Sequence, residues 1–208
     1  MDGDEHLVAA VLVEMGYHCE PFSKEELRMG IKTPDFRVYD GNELAFFCEV
    51  KTFTDASTFN DRCRSARPGE VIEEFQMGPA KGNRLENQMR YAAKKFQDVN
   101  PAHSIANVVV IVNRDELFFS DDIRELVEGY VMTPRGCRAH TISKAPRNRF
   151  HPDCGVIDAY LVLKRIKDTG EAGSNIYCLE NAVASSSIVL FLDRYATWMD
   201  SCGNASRL

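Results

Sequence analysis

The tripeptide Glu49-Val50-Lys51 places two charges directly after Leu44-Ala45-Phe46-Phe47-Cys48, the most apolar stretch in the first half of the chain. Side chains of an extended strand alternate between faces, so Glu49 and Lys51 share one face and Val50 takes the other. Charges buried in a central strand are unfavourable unless they are paired or bind an ion. Asp35 follows Pro34, fourteen residues before Glu49, and Asp40-Gly41-Asn42 between them is a turn signal. A hairpin folded at that turn brings Asp35 and Glu49 across from each other near its open end. Two carboxylates there repel unless a cation bridges them. Hard oxygen ligands suit Mg²⁺ or Mn²⁺. A lysine beside such a site can orient or deprotonate a water, or stabilise developing negative charge.

The elements that must position these groups are legible from periodicity. Leu7, Val8, Val11, Leu12 and Met15 form one apolar face of a helix over 5–15, stopped by Gly16. Residues 17–22 read as a short strand, 23–33 as a loop, and 34–39 and 43–53 as the two hairpin arms, the second a central strand covered on both faces. Residues 54–82 are polar, with a short helix around 71–75. Leu85, Met89, Ala92 and Phe96 define a second helix over 84–98. Residues 106–113 form a buried strand and 121–130 a short acidic helix. Residues 156–163 and 187–192 follow as strands, with a closing helix at 193–200. The expected fold is α/β, with helices flanking a mixed central sheet. Residues 1–208 read as a single domain. Its core spans about 5–113, and 114–208 extend the sheet and carry a basic loop.

Pro34-Asp35, thirteen residues, then Glu49-Val50-Lys51 resembles the PD-(D/E)XK motif of restriction-endonuclease-like nucleases. Glu5, followed eleven residues later by Gly16-Tyr17, is similar to the opening helix of archaeal Holliday-junction resolvases and related nucleases. The resemblance covers roughly 5–113. It implies a restriction-endonuclease-like core and a metal-dependent nuclease that hydrolyses phosphodiester bonds of nucleic acid, DNA ahead of RNA. It implies that Asp35 and Glu49 ligate the metal with the Val50 carbonyl, that Lys51 positions the attacking water, and that Glu5 completes the acidic cluster. Glu14 is the rival for that last role. On the second helix, Arg84, Gln88, Tyr91 and Lys95 form one stripe, where family members place groups that contact the site or the phosphate backbone. The Gln88–Tyr91 spacing is one residue shorter than the Gln-x-x-x-Tyr of the exonuclease-like branch. The other reading of the stripe is a solvated helix flank. Relatives commonly dimerise, since two sites cut two strands. The fold also hosts inactive modules, so a non-catalytic module binding nucleic acid or a protein partner is the alternative.

A second constellation is Cys137-x2-His140, ten residues, then His151-x2-Cys154, which has the spacing of a tetrahedral zinc site. The same segment, 133–152, holds Arg135, Arg138, Lys144, Arg147 and Arg149 and no acidic residue. Such a stretch offers a polyanion a local field despite the net charge of −6. Residues 1–60, by contrast, hold five basic and twelve acidic side chains. The 44% apolar and 27% charged composition excludes wholesale disorder. No apolar run approaches the ~20 residues of a membrane helix, and the acidic N-terminus lacks a signal-peptide pattern. Seven scattered cysteines do not suggest a disulfide framework. A cytoplasmic or nucleoid-associated protein is the expectation.

Overall fold

The computed structural model describes residues 2–23, 25–26, 30–53, 66–68, 79–114, 130–132, 138–140, 155–166 and 176–184. Helix α1 (Gly3–Glu14) leads into strands β1 (His18–Pro21), β2 (Phe36–Asp40) and β3 (Glu43–Phe53). Helix α2 (Pro79–Val99) precedes β4 (Ala106–Asn113), β5 (Tyr130–Met132), β6 (Arg138–His140), β7 (Ala159–Ile166) and β8 (Ile176–Ala184). Six strands form one mixed sheet in the order β1-β2-β3-β4-β7-β8. The pairs β1–β2, β2–β3 and β7–β8 are antiparallel, whereas β3–β4 and β4–β7 are parallel. Strands β5 and β6 form a separate antiparallel pair. Among the described residues, no helix is long and apolar enough to cross a membrane.

The fold is therefore α/β with a mixed sheet, and the helices expected over 5–15 and 84–98 are present as α1 and α2. Four expectations change. Tyr130, the last residue of the helix expected over 121–130, opens strand β5. Residues 133–152, expected to be irregular, contain β6. Strand β8 has no counterpart in the sequence reading, because its Glu180 and Asn181 interrupt any apolar run; pairing with β7 defines it. The strand expected at 156–163 lies at Ala159–Ile166. The expected short helix at 71–75, strand at 187–192 and helix at 193–200 lie outside the described residues, as do 121–129.

The sheet carries an apolar cluster on each face, and the strand period sorts residues between them. On one face Val8, Val11 and Leu12 of α1 and the following Met15 meet Phe46, Cys48, Val50, Val108, Val110, Leu161 and Leu163. On the other, Leu85, Met89, Ala92, Ala93 and Phe96 of α2 meet Phe47, Phe53, Val109, Ile111, Tyr160 and Val162. Glu49 and Lys51 lie between Phe47 and Phe53 in the alternation, so they project towards α2.

Local geometry fixes each helix against the sheet. The Asp2 side chain accepts the N–H groups of Asp4 and Glu5, and Glu5 returns the bond to Asp2, a capping box. At the other end Gly16 takes φ 89°, Gly16 N–H bonds Val13 O and Tyr17 N–H bonds Leu12 O, which closes a Schellman turn. Beyond α2, buried Asn100 donates to the carbonyl of Ile105 and to the side chain of Asn107. Asp158 accepts the Asn107 N–H at 2.8 Å and pairs with His103 at 2.7 Å. This network ties the α2–β4 turn to the start of β7.

Asp4 anchors α1 to the far ends of β3 and β4. Its carboxylate accepts the Thr52 hydroxyl and the Arg114 guanidinium. Burial alone would raise its pKa, but the bonds from Arg114 and Thr52 outweigh that and hold it below the usual 3.8. A depressed carboxylate pKa contributes stability that is fully present above the unfolded value and is lost as pH falls through the folded one. Asp4→Asn is expected to lower the unfolding free energy at pH 7 by about 1–3 kcal/mol, read from urea titration. It is also expected to flatten the loss of stability below about pH 4; a parallel acid limb in variant and wild type contradicts the anchor.

Candidate active site

The β2–β3 hairpin builds the centre. Its turn is Gly41-Asn42, with Asp40 opposite Glu43 and Gly41 at φ 60°. Counted straight from that turn, Asp35 would face Cys48 and point to the α1 side. The register instead shifts by one residue between Val38 and Tyr39, so that Val38 pairs with Phe46 and Phe36 with Cys48. Ala45 is the extra residue on β3, a β-bulge. One step beyond the Phe36–Cys48 pair, Asp35 therefore lies opposite Glu49, on the α2 side. Asp35 N–H donates to Cys48 O at 3.0 Å, and Asp35 Oδ2 accepts the Val50 N–H at 2.7 Å. The carboxylate is clamped to the backbone of β3, with Oδ1 left to face α2.

Two lysines meet the two carboxylates. Lys51, two residues along the same strand face, forms an ion pair with Glu49. Lys95 reaches down from α2, with Nζ 2.8 Å from the Glu49 carboxylate and 3.4 Å from Asp35 Oδ1. The Glu49 side chain has 0% exposure, while those of Lys51, Lys95 and Asp35 keep 15%, 16% and 17%. The cluster is sheltered yet open to solvent at its lysine edge. Burial, and then the charge of Asp35, push the Glu49 pKa up against the pull of Lys51 and Lys95. Burial would push Lys95 down, but Glu49 and Asp35 hold its ammonium above the usual 10.5.

The α2 stripe is where the sequence places it. Tyr91, at 48% exposure, presents a ring to three ammoniums: Lys32 at 4.7 Å, Lys51 at 5.6 Å and Lys95 at 5.9 Å from its centre. These are cation–π distances. Gln88 Nε2 donates to Thr52 O at 3.5 Å, and its Oε1 is buried without a protein partner. Arg84 lies on α2, but its side chain is outside the described residues. Lys32 was not singled out in the sequence. Its position two residues before Pro34-Asp35 is the one signal for it.

Helix α1 does not deliver the expected glutamate to this cluster. It covers the opposite sheet face, Glu5 is engaged in its own capping box, and its buried carboxylate is Asp4, bonded to Thr52 and Arg114. Exposed Glu14 ends the helix, about 15 Å along the axis from Asp4. Of the basic loop, Arg135, Lys144, Arg147 and Arg149 lie outside the described residues, as do Cys137, His151 and Cys154. Arg138 and His140 are in β6, and their side chains are not described. Among the described residues no group of three or more His, Cys, Asp or Glu is placed to hold a metal.

Two carboxylates converging on one cation are the donor set of a hard divalent ion, and the point they share is now filled by an ammonium. Removing Glu49 strands both lysines in a half-dry site. Glu49→Ala is therefore expected to destabilise the fold by about 3–5 kcal/mol, read from the urea midpoint. A loss below about 1 kcal/mol would place the cluster in the weak class of surface ion pairs.

No family model matches the chain, and neither a curated protein nor a solved structure does.

Proposed function

We propose that the chain is a divalent-metal-dependent nuclease that hydrolyses phosphodiester bonds of nucleic acid, DNA before RNA. The observation that carries this reading is the meeting of Asp35, Glu49 and Lys51 on one face of the hairpin, with the clamped Asp35 carboxylate opposite the buried Glu49. The order helix, three antiparallel strands, helix, parallel strand supports a restriction-endonuclease-like core. Asp35 and Glu49 are the residues to hold Mg²⁺ or Mn²⁺, with the Val50 carbonyl as a further oxygen donor. When bound there, the ion would supply Lewis acidity towards the phosphate and a water of lowered pKa. Lys51, held by Glu49, is placed to orient an attacking water and to carry positive charge towards the phosphate. Lys32 and Lys51 around Tyr91 add positive charge beside it for the backbone.

One observation favours a second reading. Lys95 already neutralises the carboxylate pair, as it would in an inert binding module. Cleavage assays separate the two. Labelled single-stranded, duplex and branched DNA and RNA are incubated with Mg²⁺ or Mn²⁺. Wild type is expected to cut at least one of them, and Asp35→Ala and Lys51→Ala to lose about a hundredfold or more of the rate. Folded wild type that neither cuts nor binds metal by titration leaves the binding module as the answer.

A further inference from the structure

Lys95 differs from Lys51 in what it touches. Lys51 belongs to the same strand as Glu49 and pairs with that carboxylate. Lys95 comes from a separate helix and reaches both carboxylates, at 2.8 Å and 3.4 Å. Its neighbours on α2 are locked: Ala92 and Phe96 are buried in the core, and the Asn100 network fixes the helix end. The ammonium is thus aimed at the shared oxygens by packing, not by chance reach of a surface side chain. Two carboxylates held opposite each other, one of them fully buried, need positive charge to stay ionised. A divalent cation would sit about 2.0–2.6 Å from the same oxygens, which an ammonium in hydrogen-bond contact already blocks.

We propose that Lys95 is the resident counter-ion of the Asp35–Glu49 pair, and that a divalent cation enters the site by displacing it. The inference rests on the metal-dependent reading above. The lysine stem is flexible, and the Tyr91 ring stands 5.9 Å from the ammonium, beside Lys32 and Lys51. Turned towards that ring, Lys95 leaves the carboxylates and joins two other ammoniums at the solvent edge of the site. Metal entry then converts an inward charge into one that faces an incoming phosphate. By linkage, metal and phosphodiester strengthen each other's binding.

The test uses Lys95→Met, which keeps length without charge, and Lys95→Arg, which keeps charge. Mn²⁺ binding to the full chain is measured by calorimetry, and melting is followed in chelator and in Mn²⁺. Lys95→Met is expected to bind Mn²⁺ at least about tenfold more tightly than wild type. It should melt below wild type in chelator and regain more on adding Mn²⁺, with Lys95→Arg staying close to wild type. Equal or weaker Mn²⁺ binding by Lys95→Met overturns the displacement and leaves the metal site standing. No binding by any of the proteins removes the metal site itself, and the inference with it. Should the methionine variant fail to fold in chelator and fold in Mn²⁺, the counter-ion role is supported; should it fold in neither, Lys95→Gln takes its place in the same titration.

Discussion

A carboxylate with no exposed surface cannot stay ionised in an apolar sheet unless positive charge is brought to it. Glu49 imposes that requirement on everything around it. The strand supplies one cation two residues away, the shortest spacing that keeps both side chains on one face. The second has to cross from α2, so the helix must be packed with Lys95 over the strand. Phe96, Met89 and Leu85 do that packing, and all three are almost wholly withdrawn from solvent. The Asn100–Asn107–Asp158 network then fixes where the helix ends. Core and site are therefore one construction: the packing that buries Leu85, Met89 and Phe96 also holds Lys95 over its two carboxylates.

The bulge at Ala45 is the second requirement. A one-residue slip moves every side chain of a strand to the other face. Without the bulge, Asp35 would turn towards α1 and the Glu49 pocket would hold a single carboxylate. With it, Asp35 crosses to the α2 side and its own N–H and Oδ2 lock onto the Cys48 and Val50 backbone. The tight Gly41-Asn42 turn fixes one register and the bulge resets it, so turn and site obey different registers within one hairpin.

What could be read in advance follows from what each signal depends on. The charged pair in the apolar strand, the two amphipathic helices and the hairpin turn are local patterns, and each lies where periodicity puts it. Leu85, Met89, Ala92 and Phe96 are all buried, as their spacing requires. Asp35 and Glu49 do meet, but the straight count from the turn omits the bulge, which no residue type announces. The glutamate expected from α1, Glu5, lies in the capping box, because α1 covers the sheet face opposite the cluster, and which face a helix covers is tertiary information. Lys95 lies on the α2 stripe that its spacing with Gln88 and Tyr91 predicts. Its engagement with both carboxylates depends on how α2 lies over β3, which is tertiary information. Lys32 has only its place two residues before Pro34-Asp35 to mark it, and β8 is a strand defined by its partner.

Charge at the site runs against charge in the chain. The protein carries −6 overall, and its first sixty residues are its most acidic stretch. Yet three ammoniums, of Lys32, Lys51 and Lys95, stand within 6 Å of one exposed tyrosine ring, against two carboxylates of which one is fully buried. Field at short range is set by the nearest charges, because solvent and salt screen the rest beyond roughly 8–10 Å. An anion approaching Tyr91 meets these lysines, with the Glu49 carboxylate buried behind them. Among the described residues, the cluster around Tyr91 thus sets a positive local field within a chain of net negative charge.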